Sequence, residues 1–476
     1  MSNRPETNKQ SCPVYKKCGG CQLQNLSYPE QLEFKQRKVE KLLKRFCTVE
    51  KIIGMKTPYH YRNKVQAAFY TDKKGKIISG VYQSGSHHVV GIDSCQTEDV
   101  IADKIIVAVR KLLPSFRMTT YNEDTGKGFL RHILVKRGFA TNQIMLVLVT
   151  GTPVFPSKNN FVKAILKQFP EITTIVQNIN PYRTNLVLGD NQKVLYGKGY
   201  IEDILCGCKF RISPKSFYQI NPVQTEVLYG KAIEFANLKG NETVLDTYCG
   251  IGTIGIIAAK NGAGNVIGAE LNGDAVRDAI VNARANNLKN IRFYKADAGE
   301  FMREAADEDE KPDIVFMDPP RAGSDRKFLD SLIKMSPKKV VYVSCNPETL
   351  ARDLAYLTQN SPYKAQKIQP VDMFPHTAHI ETVVLLSQLK QKPDDYINVT
   401  IELDDMDVTS AETKVTYDEI KKYVAEHNDG MKVSNLYISQ VKRKCGIEVG
   451  KNYNLPKNED SRQPQCPEDK ERAIVE

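Results

Sequence analysis

Hydrophobic and polar positions follow two different rhythms along the chain. Between residues 240 and 388, short β-branched and aromatic runs recur between stretches of helical spacing, the βαβ pattern of a mostly parallel sheet. Strands are predicted at 243–247, 265–270, 290–294, 313–317, 339–344, about 365–371 and 380–387. Helices are predicted over 252–261, 273–287, 326–335 and 347–358. Upstream, 61–70, 129–138, 143–150, 173–179 and 184–188 read as strands and 158–169 as a helix, a mixed α+β platform. Residues 28–46 form an amphipathic pattern: Leu32, Val39, Leu42, Leu43 and Phe46 make an apolar stripe, and Lys35, Arg37, Lys38, Lys41, Lys44 and Arg45 crowd the rest. The end of the chain carries an acidic linker at 403–407 and a helical pair around 416–428 and 433–447. After Tyr453 it turns polar and proline-bearing, which predicts disorder. The divisions expected are 1–55, 56–210, 211–389 and 390–476.

The run Lys339–Asp353, KVVYVSCNPETLARD, organises the catalytic half. Cys345 falls at the carboxyl end of a strand and just before a helix, where open α/β sheets place ligands and a helix dipole favours a thiolate. A free cysteine is most often a small buried hydrophobe; the strand-end position beside Asn346-Pro347 favours a nucleophile here. In VLDTYCGIGTIGI, Gly250 and Gly252 permit a tight turn and close approach to a nucleoside, and Glu270 ends the next strand where it can take the two hydroxyls of a ribose. A glycine loop alone does not separate NAD from S-adenosylmethionine; Asp246, Glu270, Asp297 and Asp318 together favour the latter. His376, His379 and Glu381 cluster before the final strand and suit either a metal site or a general base, with a structural hydrogen bond the plain reading for either histidine. Phe217 and Gln219, in FRISPKSFYQIN, either pack a loop or cover a bound ligand, and Arg321 either holds substrate or makes a salt bridge.

Eleven cysteines, several of them clustered, argue for metal binding or chemistry and against a disulfide framework. Cys12, Cys18 and Cys21 have C-x5-C-x2-C spacing, and Cys95, in a polar turn, is a better fourth ligand than Cys47. A [4Fe-4S] cluster and a structural zinc both fit four cysteines, whereas the C-x3-C-x2-C spacing of radical chemistry is absent. Cys206 and Cys208 lack a second pair and take no metal role. The formal charge of +11 suits a polyanionic partner, and Tyr61, Arg62, Asn63 and Lys64 can stack on a base and hold phosphate. Neither a long apolar run nor an apolar leader is visible, so a soluble cytoplasmic protein is expected, with no membrane attachment.

In combination, CPVYKKCGGCQLQ, YRNKVQ, ISPKSFYQIN, LDTYCGIGTIG, DPPRAG, SCNPETLARD and FPHTAHIETV resemble the RNA uracil-5-methyltransferase family, more closely its iron–sulfur ribosomal branch than its transfer-RNA branch. The likeness runs from Cys12 to about Leu386. It implies an α/β fold: a seven-stranded Rossmann-like S-adenosylmethionine-dependent methyltransferase domain with an N-terminal Fe-S segment, a mixed α+β central domain and a small helical C-terminal extension. It implies a [4Fe-4S] cluster on Cys12, Cys18, Cys21 and Cys95, and S-adenosylmethionine on Gln219, Tyr248, Glu270 and Asp318. Cys345 would be the nucleophile and Glu381 the base in methylation of a 23S ribosomal RNA uridine by a monomer. The residues before Cys12 are too few for the small β-barrel with which many iron–sulfur members begin. Two rivals are a transfer-RNA uridine methyltransferase, a branch that typically lacks the cluster, and a non-catalytic RNA-binding assembly factor, against which Cys345 and Glu381 speak. Lys442, Arg443 and Lys444 suggest either an extra RNA contact or a small packing module.

Overall fold

The computed structural model describes residues 12–83, 86, 88–184, 186–308, 311–388, 417–428, 431–444 and 466–475. The chain divides into two compact units, 1–392 and 393–476.

The first unit contains two seven-stranded sheets. The upstream sheet comprises β1 (Lys64–Thr71), β2 (Ile77–Tyr82), β3 (Val89–Gly91), β4 (Leu130–Arg137), β5 (Ile144–Thr150), β6 (Ile172–Ile179) and β7 (Asn191–Tyr196), in the order β3-β2-β1-β4-β5-β6-β7. Its pairs are antiparallel except β5–β6, which the helix Lys158–Gln168 joins as a crossover. Alternation along β4 and β5 divides the core. Ile133, Val135, Leu146 and Leu148 pack with the helices Val100–Leu112 and Lys158–Gln168, while Leu134, Met145, Val147 and Val149 turn to the other face. There they share one apolar core with Phe210, Leu228, Val244 and Val341 of the downstream half, so the two sheets are parts of one body.

A hairpin, β8 (Ile201–Leu205) and β9 (Cys208–Ile212), links the halves. Its two-residue turn, Cys206 (φ 50) and Gly207 (φ 72), is left-handed at both positions, which spends Cys206 on turn geometry.

The downstream sheet comprises β10 (Thr243–Asp246), β11 (Asn265–Glu270), β12 (Ile291–Lys295), β13 (Ile314–Met317), β14 (Lys339–Ser344), β15 (Tyr363–Val371) and β16 (Glu381–Gln388), in the order β12-β11-β10-β13-β14-β16-β15. Six strands run in one direction, and β16 alone runs against them, antiparallel to both β14 and β15. The order reverses between β10 and β13, a switch point whose carboxyl side is the expected ligand crevice.

Several expectations are corrected. The described residues of the expected strand 184–188, Thr184 and 186–188, are not a strand: the Asn180 side chain donates to the carbonyls of Leu186 (2.7 Å) and Val187 (3.2 Å), holding them as a loop. The edge strand lies later, at β7, and is largely exposed, so it lacks an apolar signature. Helices Val100–Leu112, Pro222–Ala236 and Ala298–Asp307 add to those predicted. The helix Tyr28–Leu43 begins with a capping box formed by Ser27 and Glu30 and buries Gln31, Lys35, Val39 and Leu43 along one row. Lys35 is therefore interior and not part of a solvated face, because Asp372 neutralises it. Val39 and Leu43 pack with Tyr363 and Ile368 of the downstream sheet, and bridges Val49–Ile368 and Ile53–Val371 extend that sheet's edge.

In the second unit, helices Tyr417–His427 and Asn435–Lys444 form the predicted pair. Of the stretch after Tyr453, expected to be disordered, residues 453–465 lie outside the described residues, and a third helix, Glu468–Val475, follows, whose Ile474 packs on Val424, Val433 and Ile438. Lys444 is engaged by Glu471 at 2.7 Å, so its charge is already met within the unit. The acidic linker at 403–407 lies outside the described residues.

Candidate active site

The carboxyl edge of the downstream sheet gathers the candidate residues. Cys345 is the residue immediately after β14, and Glu381 is the first residue of β16. Ser344 pairs with Thr382, so one further step of the same antiparallel register sets Cys345 opposite Glu381, on one face of the sheet. Asp318 follows β13, the parallel neighbour of β14, and one further step of that register sets it beside Val343, two residues before Cys345 on the same face.

Loop hydrogen bonds fix this edge. Asn346 caps the helix Pro347–Asn360 by accepting from Glu348 N–H (3.1 Å), and its Nδ2 donates to the Arg321 carbonyl (3.2 Å). Thr349 Oγ1 donates to the same carbonyl (3.2 Å). Buried Asp353 accepts from Ser324 N–H (3.0 Å) and Tyr342 Oη (2.7 Å). Gly323 (φ 76) is required, since a Cβ there would stand 2.6 Å from that Asp353 carboxylate.

The electrostatics correct one expectation. A helix N-terminus was expected to favour the Cys345 thiolate; instead burial pushes the thiol up to about 11, with Glu381 and Asp318 adding to the rise and Arg321 opposing it. Cys345 lies one residue before the Asn346 cap, and burial is the first cause of the rise, ahead of the two carboxylates. Burial raises Asp318 to about 7, and raises Glu381 well above the usual carboxylate range, with Asp318 second and Arg321 opposing. Two buried carboxyls side by side titrate as a pair.

The switch-point loop is held by close packing and hydrogen bonds. Gly252 (φ 82) lies against Phe293, where a Cβ would meet the ring at 2.7 Å. Asp246 accepts from Gly255 N–H (2.8 Å) and so anchors the helix Thr253–Lys260; burial raises it to about 7. Glu270 accepts from Gly250 N–H (3.1 Å) and Asn272 N–H (2.7 Å), which leaves each oxygen a further acceptor site. Tyr248 lies 3.3 Å from Ser324 Oγ and packs on Phe328, ring centroids 5.4 Å apart. Gln219 is buried, its carbonyl accepting from Asn63 Nδ2 (3.0 Å), while Phe217 two residues before is exposed.

Sequence reasoning missed Tyr229. It is buried on the helix Pro222–Ala236, and burial raises its hydroxyl far above the usual range, with Asp318, Glu381 and Asp246 adding to the rise and the Gln219 side chain opposing it.

Neither histidine forms a metal site with Glu381: among the described residues no group of three or more histidine, cysteine or acidic side chains is arranged to hold an ion. The His376 ring is spent on Gln31 and the Pro58 carbonyl. The four candidate cysteines are likewise not arranged as such a group, although the charges of Cys95, Cys18 and Cys12 act on Cys21. Burial pushes the Cys21 thiol up to about 12, with Cys95, Cys18 and Cys12 as further causes and Arg62 opposing. Cys95 is steadied by Asp103, which accepts from its N–H at 2.8 Å. Four soft donors from two distant segments suit an iron–sulfur or zinc centre chemically, although their sulfurs are not closed into a coordination shell.

Comparison with known proteins identifies the family. The family described as tRNA (uracil-5-)-methyltransferase matches residues 183–389. An uncharacterized RNA methyltransferase of Bacillus cereus is 44% identical over 392 residues, covering 81% of this chain and 85% of the relative. The chain belongs to the RNA uracil-5-methyltransferase family. A second RNA methyltransferase of this kind, from Listeria monocytogenes, is 46% identical over 379 residues, covering 79% of this chain and 83% of the relative. Among solved structures, the Pyrococcus abyssi tRNA (uracil-54, C5)-methyltransferase in complex with S-adenosyl-L-homocysteine matches at 30% identity and TM-score 0.66, covering 79% of this chain and 87% of that one. The uracil-5-methyltransferase fold seen here is thus that of an S-adenosylmethionine-dependent enzyme acting on RNA. No helix among the described residues is long and apolar enough to cross a membrane.

Proposed function

We propose that this protein methylates carbon 5 of a uridine in 23S ribosomal RNA, with Cys345 as nucleophile and Glu381 as base. The observation that carries the reading is the placement of a thiol and a buried carboxyl opposite one another at the carboxyl edge of the sheet. Carbon 5 of uracil is too electron-poor to accept a methyl group unaided. Addition of the Cys345 sulfur to carbon 6 moves an electron pair onto the ring as an enolate, which makes carbon 5 nucleophilic. S-adenosylmethionine supplies the methyl group from its sulfonium. Glu381 then takes the carbon-5 proton, the 5,6 double bond re-forms, and the Cys345 thiolate leaves. Gln219, Tyr248, Glu270 and Asp318 would hold the cofactor, Glu270 through the ribose hydroxyls. The target base must leave its stack to reach Cys345. Cys12, Cys18, Cys21 and Cys95 would hold a [4Fe-4S] cluster in a structural role, since methyl transfer moves no net electrons.

The ribosomal target rests on likeness of the cysteine pattern to the ribosomal branch. A transfer-RNA target is the second reading, favoured by similarity to the Pyrococcus abyssi tRNA enzyme. Mapping 5-methyluridine by mass spectrometry in ribosomal and transfer RNA, with and without this gene, separates them. Loss at a 23S position supports the proposal, and loss confined to transfer RNA replaces its substrate. Unchanged RNA would overturn the proposed activity in that cell.

A further inference from the structure

His376 stands five residues before Glu381 and has a left-handed backbone, φ 68, uncommon for a residue with a Cβ. Such a conformation persists where the surroundings over-determine it. Here every polar atom of the residue is engaged. Its N–H donates to Gln31 Oε1 (2.8 Å) and its carbonyl accepts from Leu23 N–H (3.0 Å). Nε2 lies 2.9 Å from the Pro58 carbonyl, and Nδ1 lies 3.2 Å from Gln31 Nε2. The ring packs on Tyr59, centroids 4.9 Å apart.

The tautomer follows from these partners. A carbonyl only accepts, so Nε2 carries the proton. The Gln31 amide cannot turn over, because its oxygen accepts from His376 N–H and its nitrogen donates to the Leu26 carbonyl (3.0 Å). Nδ1 is therefore the acceptor, and the ring is neutral with a fixed orientation. The partners come from three segments: the stretch just after Cys21, the helix Tyr28–Leu43, and the approach to β1. The same segments hold the rest of the loop. Tyr61 Oη donates to the Pro375 carbonyl (2.9 Å), Lys35 Nζ to the Phe374 carbonyl (3.0 Å), and Ala378 N–H to Gln22 Oε1 (3.2 Å). The next regular element begins with Glu381 itself.

We propose that His376 is a positioning residue for Glu381: it locks the 372–380 loop and makes the cysteine-bearing N-terminal segment part of the support of the base. The proposal rests on the reading of Glu381 as the base. It selects one step of the reaction, removal of the carbon-5 proton, and leaves thiol addition and methyl transfer untouched.

The test uses the full chain and two transcripts of ribosomal and transfer RNA, one with uridine and one with 5-fluorouridine. Fluorine at carbon 5 leaves no proton to remove, so the second transcript stops at the covalent adduct in every variant and reports only the earlier steps. His376→Ala is expected to form the fluorinated adduct at the wild-type rate. On ordinary RNA its kcat should fall about a hundredfold, as for a misplaced catalytic group, with KM for RNA and cofactor unchanged and a methylated protein–RNA adduct accumulating. Gln31→Leu should behave alike. Wild-type turnover on ordinary RNA, or an equal loss on both transcripts, overturns the proposal. If His376→Ala does not fold, His376→Asn, whose residue type tolerates a left-handed backbone, gives the same readings. Glu381→Gln is the reference: normal turnover there removes Glu381 as the base, and the positioning role falls with it.

Discussion

Lys35 and Asp372 form an ion pair at 2.6 Å in which neither side chain touches solvent. Asp372 also accepts from Tyr28 Oη (2.9 Å) and Phe374 N–H (3.2 Å), so the pair joins the N-terminal helix to the loop leading to Glu381. Burial lowers the Lys35 ammonium pKa, and the attraction of Asp372 opposes that shift. Removing one partner leaves the other buried and uncompensated, which costs about 3–5 kcal/mol. Lys35→Met is therefore expected to lose that much stability in urea denaturation, and Lys35→Met with Asp372→Leu to recover a good part. If the double variant is no better than the single one, the stranded charge is not the cause.

Cys345 and Glu381 are expected to fail in different ways. Cys345→Ala should abolish methyl transfer and every covalent RNA adduct while cofactor binding, followed by calorimetry, stays near wild type. Glu381→Gln should still form the carbon–sulfur bond and then stall, giving a shifted protein–RNA band on a denaturing gel. Activity retained by Cys345→Ala would exclude covalent catalysis by this residue. A Glu381→Gln enzyme that turns over slowly without accumulating adduct would place the base elsewhere.

The acid limb of the rate profile should report the Asp318–Glu381 pair. Burial raises Asp318 to about 7 and Glu381 well above the usual carboxylate range, Asp318 being the second cause of the latter. A base must be ionised, so kcat/KM should rise with pH through neutrality, and the Cys345 thiol, pushed up to about 11, works in the same direction. Asp318→Asn removes a like charge, lets Glu381 ionise at lower pH, and should move the limb down while raising the cofactor KM. A limb that stays put in Asp318→Asn would show that the two carboxyls do not titrate together.

What the sequence disclosed and what it hid have physical causes. Strands β11 and β14 were predicted at their observed bounds; β14 was plain because a strand buried along its length reads as a β-branched and aromatic run, Val340 to Val343. Cys345 and Glu381 were conspicuous because each interrupts or opens such a run at a strand end. Tyr229 was not, since its helix is covered by β14, β15 and β16 and lacks a clear polar face, with Leu228, Tyr229, Ala232, Phe235 and Ala236 all buried. Lys35 read as surface charge because its partner Asp372 is 337 residues away. The apolar run 184–188 misled because a side-chain amide, Asn180, takes the carbonyls that a strand would have paired.

Metal analysis addresses the cysteine-bearing segment. If Cys12, Cys18, Cys21 and Cys95 hold a [4Fe-4S] cluster, protein prepared without oxygen should be brown and contain about four irons per chain. Cys95→Ser should lower iron content and, through Gln22 and Leu23, which hold the loop before Glu381, slow turnover as well. Zinc in place of iron would exclude the cluster and leave the scaffolding argument standing.

Lys136 gives a prediction on stability alone. It is buried on β4, where its Nζ donates to the carbonyls of Ser213 (2.9 Å) and Ser216 (2.8 Å), at the head of the loop that carries Gln219. Burial, helped by Lys64 and opposed by Asp278, lowers its pKa to about 7. A neutral amine has two N–H bonds, enough for both carbonyls. An unfolded lysine titrates near about 10.4, so between roughly pH 7 and 10 the unfolded chain binds the extra proton and the folded one does not. Stability from this residue is therefore fully present above the unfolded value and lost as pH falls toward 7, with a slope of at most about 1.4 kcal/mol per pH unit. Lys136→Met should be less stable at pH 9 by more than at pH 7, because it lacks both the slope and the two hydrogen bonds. Urea denaturation of both proteins at the two pH values checks this, and an unchanged difference between them would mean that Lys136 keeps its proton in the fold.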